Sequence, residues 1–349
     1  MKSGFKFHVV GRLCNCLFFI VLLVALQACK KPGNAKTAFY YWKSSFSLNA
    51  QQARLLKETA HNTVYLRFFD VVWDNQSHRA LPNAVVRFDQ PVNQFSVTPV
   101  IFIANKTFEM VKDNAIDSLA IYSDALINRI AHQAGLNYKN VQFDCDWTLT
   151  TREKYFNFLQ KFKQISHLKL EATIRLHQAK YKERTGVPPV DKGVLMFYNM
   201  GTLNANLQQP NSIYNEADAA KYVSYVSQYP LPLDVALPLF SWAVHIREGK
   251  VIQLYTNPRK NQFTDTQNFT PDGNAYRAKK SFFSDGIYIK ENDIFKLEET
   301  DVNALKTAAK QLSHYLPSQQ NRTIIYYELG NLNQTEFTAQ KLSQVPADL

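Results

Sequence analysis

Two short segments carry side chains able to do acid–base or ion-pair chemistry. In NVQFDCDWT, residues 140–148, a period of two sets Gln142, Asp144, Asp146 and Thr148 on one face and Val141, Phe143, Cys145 and Trp147 on the other. Further on, Glu171, Thr173, Arg175 and His177 alternate with Leu170, Ala172, Ile174 and Leu176. Two carboxylates on one face repel unless cations or hydrogen bonds share their charge, and the same crowding raises an acid's pKa for general-acid work. Arg175 and His177 are natural partners for Asp144 and Asp146. The same pattern also suits a satisfied polar network with no reaction attached to it.

These faces need a scaffold, and strand-like and helix-like segments alternate along most of the chain. The pattern predicts strands at Ala38–Trp42, Thr63–Phe69, Ser96–Ile103, Asn140–Asp146, Leu168–His177, Gly193–Met200, Asp234–Phe240 and Arg322–Glu328. It predicts helices at Ala50–Ala60, Ile116–Gln133, Thr151–Gln164, Glu216–Gln228 and Val302–Tyr315. Eight strands separated by helical periods argue for an α/β protein with a parallel sheet, and a (β/α)8 TIM barrel is the economical closure. A doubly wound open sheet is the alternative. In a barrel the greasy faces pack on helices and the polar faces point inward near the C-terminal strand ends, where barrel enzymes place their catalytic residues. Two stretches fall off the pattern. Residues 71–95 read as a polar loop, and residues 241–300 read as an insertion between strands seven and eight, with a hairpin turn at Arg247-Glu248-Gly249-Lys250 and a strand at Gly286–Lys290.

Asp144-Cys145-Asp146-Trp147 resembles the middle of the D-x-x-D-x-D-x-E motif on strand four of chitinase-like glycoside hydrolases. The resemblance continues in order. Met196-Phe197-Tyr198-Asn199 is similar to their M-x-Y-D, and Ala236-Leu237-Pro238-Leu239-Phe240-Ser241 to their G-L-P-x-Y-G. An α+β insertion often follows that strand, and Tyr326-Tyr327-Glu328 stands where a sugar-lining aromatic ends the last strand. The resemblance spans roughly residues 140–330 and implies a glycan ligand; with the strand-face and strand-end residues, the candidate binding set is Arg175, His177, Tyr198, Asn199, Trp242 and Tyr327. The chain is also similar to a family of bacterial barrel proteins of unknown function with a D-x-D core in strand four, which implies no activity.

The departures matter as much. The family's proton donor is the last Glu of the strand-four motif, and Thr148 stands there. Val141 replaces the first Asp, and Asn199 replaces the Asp of the sixth strand. A threonine hydroxyl is far too weak an acid to protonate a leaving sugar oxygen at neutral pH. An enzyme on this scaffold must draw on Asp144 and Asp146, or on Glu328 across the barrel. Carboxylates about 5 Å apart suit retention, and about 6.5–9.5 Å inversion. Arg67 could reach the same interior, with Asp70 and Asp74 at the mouth, and Tyr40, Trp42 and Trp73 add rings near strand ends. Three readings follow: a glycoside hydrolase with an altered carboxylate set, a catalytically silent barrel that binds glycan or another envelope component, and a structural protein presenting 71–95 and 241–300 to a partner.

The first 28 residues read as a signal peptide: Lys2, Lys6 and Arg12, then the apolar run LCNCLFFIVLLVAL, too short to span a bilayer comfortably. Leu26-Gln27-Ala28-Cys29 resembles a bacterial lipobox, which implies lipid on Cys29 and a body outside the cytoplasm. Two or three acyl chains, at about 0.8 kcal/mol per buried methylene, anchor stably where one does not. Lys30 after the cysteine favours the outer membrane by resemblance to enterobacterial sorting. Residues 29–36 form a polar tether, and 37–349 the barrel domain. Of four cysteines, only Cys145 remains in the folded part, so no internal disulfide can form. Forty basic against 29 acidic residues give +11, or +8 without the three signal bases, spread along the chain. That excess suits an anionic membrane surface or acidic glycans, and equally an ordinary solvated surface. With no zinc-spaced cluster, phosphate-binding glycine loop or helix-turn-helix pattern, no metal, cofactor or nucleic-acid partner is implied.

Overall fold

The computed structural model describes residues 35–284, 286–317, 321–332 and 336–349. Cys29 and the signal segment lie outside them. Eight parallel strands form the frame: β1 Lys36–Tyr41, β2 Thr63–Asp74, β3 Ser96–Ile103, β4 Asn140–Asp144, β5 Lys169–Arg175, β6 Lys192–Met196, β7 Leu233–Pro238 and β8 Thr323–Tyr327. Each strand pairs with its sequence neighbour, and β1 pairs with both β8 and β2. The sheet therefore closes, which excludes the open doubly wound alternative.

Helices α1 Ala50–Ala60, α2 Ile116–Gln133, α3 Arg152–Ser166, α4 Glu216–Val226 and α5 Val302–Ser313 pack outside. Local chemistry marks their starts. Asn49 and Gln52 form a reciprocal cap on α1, Asn215 accepts from Asp218 N on α4, and Asp301 accepts from Ala304 N on α5. Outward strand residues such as Phe39, Val141, Phe143 and Ile174 meet Leu56, Phe158, Phe162 and Leu312 of the helices in one apolar core. Six predicted strands overran their true ends, β1 and β8 by a single residue and four by two or more. β4 stops at Asp144, β5 at Arg175, β6 at Met196 and β7 at Pro238, because the chain turns outward at each mouth to begin a loop or helix.

Residues 71–95 are not simply a loop. Residues 71–74 continue β2, and Arg79–Asn83 returns antiparallel beside it, with Val71 opposite Pro82 and Asp74 opposite Arg79. Between β7 and β8 runs a five-stranded antiparallel sheet built from Trp242–Arg247, Lys250–Thr256, Phe269–Asp272, Ala275–Ala278 and Ile294–Glu298. Its first hairpin turns through Glu248 and Gly249, both at positive φ, as the twist of a two-residue turn requires. Alternate residues split its two faces. Ala243, Phe269, Phe295 and Leu297 build a small core of its own, while Trp242, Val244, Ile246 and Ile294 join the aromatic cluster of the barrel mouth.

Candidate functional site

The barrel interior is layered. At the floor, the Lys192 ammonium pairs with Asp234 and lies 3.5 Å from Glu171, whose Oε1 also accepts from Asn140 Nδ2 at 3.1 Å. Burial pushes the Glu171 carboxyl up, and Lys192 opposes that shift. Above it, Tyr40 donates to Gln142 Oε1 at 2.7 Å, and Tyr65, Val100, Val194 and Ile325 fill the remaining space.

The upper layer holds the chemistry. Asp144, last residue of β4, is buried and accepts from Thr173 Oγ1 at 2.6 Å. Burial raises its pKa, against the pull of Arg175 and the Thr173 hydrogen bond. Asp146 stands just beyond the strand, half-exposed, and takes both Nε and Nη2 of Arg175, the second at 2.9 Å. The guanidinium stays charged despite its burial because Asp146 and Asp144 flank it. Of the two cations expected beside these acids, only Arg175 meets them in an ion pair. β5 ends there and helix Leu176–Lys180 begins, which carries His177 outward to an exposed position. Partial burial lowers the His177 pKa.

Thr148 does not continue the polar face of β4. It is exposed, its N–H donates to Thr151 Oγ1 at 2.9 Å, and its hydroxyl lies 2.9 Å from that of Thr150. Its carbonyl accepts from Arg152 N at 3.0 Å, so the residue belongs to the turn that starts α3. Trp147 packs outward on Tyr155 and Phe156 and donates to Thr185 O at 2.9 Å.

Aromatic rings form the wall of the mouth. Tyr198 and Tyr327 stack at 5.6 Å, and Tyr327 also meets Tyr40, Trp42 and Phe240 edge-on. Trp242 packs on Phe240 at 5.4 Å, with its indole N–H donated to Glu298 at 2.9 Å. Asn199 is exposed beside Tyr198, in the left-handed region with φ 55. Arg67 reaches this mouth: it donates to Trp42 O at 2.9 Å, lies over the Trp42 ring and pairs with Asp70 at 3.0 Å. Asp74 is instead taken up in the hairpin turn, accepting from Ser77 N at 2.8 Å, and Trp73 lies on the outer wall.

Glu328 is buried, but its oxygens are already engaged. Trp42 N donates to Oε2 at 3.1 Å, and the N–H and side-chain amide of Asn331 donate to Oε1. Burial raises its pKa against these hydrogen bonds. The carboxylate fastens the end of β1 to the loop after β8.

No family model matches the chain, and no curated protein matches it. Solved structures do. The spore cortex-lytic enzyme SleL of Bacillus megaterium QM B1551 superposes with a TM-score of 0.56 at 12% identity, over 91% of this chain and 75% of that one. SleL of Bacillus cereus gives 0.55 at 12% identity, over 90% and 74%. The chitinase-like agglutinin RobpsCRA of Robinia pseudoacacia gives 0.53 at 11% identity, over 88% and 98%. The fold is the TIM barrel that these structures share. At this identity the likeness speaks for the scaffold, and the site rests on its own geometry.

Sequence reading missed Thr173 as the partner of Asp144, Phe240 as part of the aromatic wall, and Glu298 as the residue holding Trp242. Thr173 and Phe240 were legible from strand alternation and strand ends. Glu298 lies 56 residues from Trp242 and had no local signal.

Proposed function

We propose that the barrel binds a glycan across its aromatic mouth and does not hydrolyse it. One observation carries this reading: the position of the strand-four proton donor holds Thr148, exposed and tied into the turn before α3, while the neighbouring Asp146 is locked in a two-point pair with Arg175. Both Asp146 oxygens are taken by Arg175, so the carboxylate is engaged in the pair rather than free to act at a leaving sugar oxygen. What the mouth offers is flat rings at Tyr327, Tyr198 and Trp42 for sugar faces and a polar edge at Arg175 and Asn199 for hydroxyls. The barrel type occurs both in a spore cortex-lytic enzyme and in a chitinase-like agglutinin, so it is compatible with either outcome. Hydrolysis is the second reading, favoured by the raised pKa of buried Asp144.

The same proposal places the protein in the cell envelope of a bacterium, lipidated on Cys29, in the outer membrane. Labelled palmitate should enter the full chain and not its Cys29→Ser form.

Glycan-array binding and reducing-end release, measured together on the full chain, test the mouth. Binding without release, weakened by Trp42→Ala or Tyr327→Ala and spared by Asp146→Asn, supports the silent barrel. Release of reducing ends that Asp144→Asn abolishes makes the protein a hydrolase instead. Absence of binding to every glycan overturns both readings.

A further inference from the structure

No helix crosses the barrel wall between β2 and β3. Residues 75–95 supply instead the return strand Arg79–Asn83 and the short strand Arg87–Phe88. The return strand stands over α2 without sealing against it, and two clefts lie between them, of about 590 and 270 Å³. They share Ala80, Leu119 and Tyr122 in their walls, so they form one groove. Along α2 it runs from Ala115 to Arg129, roughly 21 Å at 1.5 Å per residue. Volume and length suit a single acyl chain, and a pocket of this size lies in the range of small-molecule sites.

The groove is greasy and uncovered. Tyr122 is 73% exposed, Met110 44% and Leu81 40%, an unusual concentration for a surface that touches nothing. The indole N–H of Trp73, in the same wall, is shielded from water and has no acceptor. The charges at its ends share one sign. Arg79 and Lys112 line one end and Arg129 the other, no acidic residue lines either cleft, and none of these three side chains forms an ion pair among the described residues. An apolar trough closed by unpaired cations is complementary to an amphiphile with an anionic head.

We propose that this groove binds a single-chain acidic lipid, its acyl chain along α2 over Leu119 and Tyr122 and its carboxylate at Arg79 and Lys112. The site lies on the outer wall and shares no residue with the mouth, so it stands or falls apart from glycan binding.

The test uses the full chain in a non-ionic detergent and a palmitate analogue carrying a diazirine in its tail, irradiated and mapped by mass spectrometry. Cross-links are expected within residues 79–82 and 110–126, competed by palmitate and not by hexadecanol. Arg79→Glu with Lys112→Glu should weaken labelling by about tenfold, since both head-group contacts become repulsive. Ala80→Trp, which fills the shared section of the groove, should abolish it while the thermal unfolding curve stays that of a folded protein. Labelling elsewhere only, labelling indifferent to both variants, or equal competition by hexadecanol would overturn the proposal. Recovery of a bound peptide helix in place of lipid would overturn it as well.

Discussion

Arg175 and Asp146 face each other fork to fork across the ends of β5 and β4, with Nη2 and Oδ2 2.9 Å apart, and this pair decides what the mouth can do. The Asp146 side chain is 53% exposed, so the pair is worth little in stability, below about 1 kcal/mol. Asp146→Asn should therefore leave the urea midpoint nearly unchanged and keep glycan binding. Arg175→Ala should act more broadly, because buried Asp144 then loses the cation that opposes its desolvation. The two variants compared by urea denaturation at neutral pH check the asymmetry.

Two buried carboxyls favour the fold in mild acid. Burial holds Asp144 and Glu171 above the ordinary carboxylate range, so the native state binds these protons more tightly than the unfolded chain. Stability then falls as pH rises through their native pKa values toward neutrality. Asp293 and Glu298 shift the other way. Burial opposes the shift, but hydrogen bonds from Arg247, Lys290 and His245, or from Lys296, Ser212 and Trp242, hold them low. Their contribution is present above the ordinary carboxylate range and lost only in strong acid. Between about pH 5 and pH 7.5 the urea midpoint should fall further for the parent chain than for Asp144→Asn, while the lowered pKa values of His177 and His245 act in the opposite sense in both.

Glu328→Ala should destabilise the fold rather than remove a proton donor. The change strands two backbone N–H groups, of Trp42 and Asn331, at a cost of about 1–3 kcal/mol by chemical denaturation. Glu328→Gln keeps one acceptor oxygen and should fall between. Glycan affinity should weaken along with the fold because Trp42 loses its mooring.

Gly201 sits where a side chain has no room. A Cβ there would lie 2.7 Å from the backbone Cα of Ser212, while its N–H donates to Ser212 O at 3.1 Å. Gly201→Ala must push apart the strap that also holds Asn199 N against Ile213 O, at about 1–3 kcal/mol. Its effect should appear both as a lowered urea midpoint and as weaker glycan binding at the mouth.

The barrel was legible because its strands alternate and its helices repeat, each over enough residues to register; α1 and α2 fall on Ala50–Ala60 and Ile116–Gln133 as read. Strand ends were not. Alternation in NVQFDCDWT runs on past Asp144, and nothing local says that the chain leaves the sheet there. Asp146 and Thr148 were consequently set on a face that does not exist, and His177 on a strand that had already become a helix. Glu328 looked like a spare acid because its partners, Trp42 and Asn331, belong to loops that meet only in the closed barrel. The antiparallel return Arg79–Asn83 was hidden by its polar flanks.

The salt-bridged floor of Lys192, Glu171 and Asp234 makes the barrel a cup rather than a tube. Whatever enters the mouth leaves by the same rim. A long polymer cannot thread through such a vessel; it can only lie across the opening and dip a residue or an end toward Tyr327. On the proposed reading, a glycan meets the barrel from one side only, at the rim that carries Tyr327 and Tyr198.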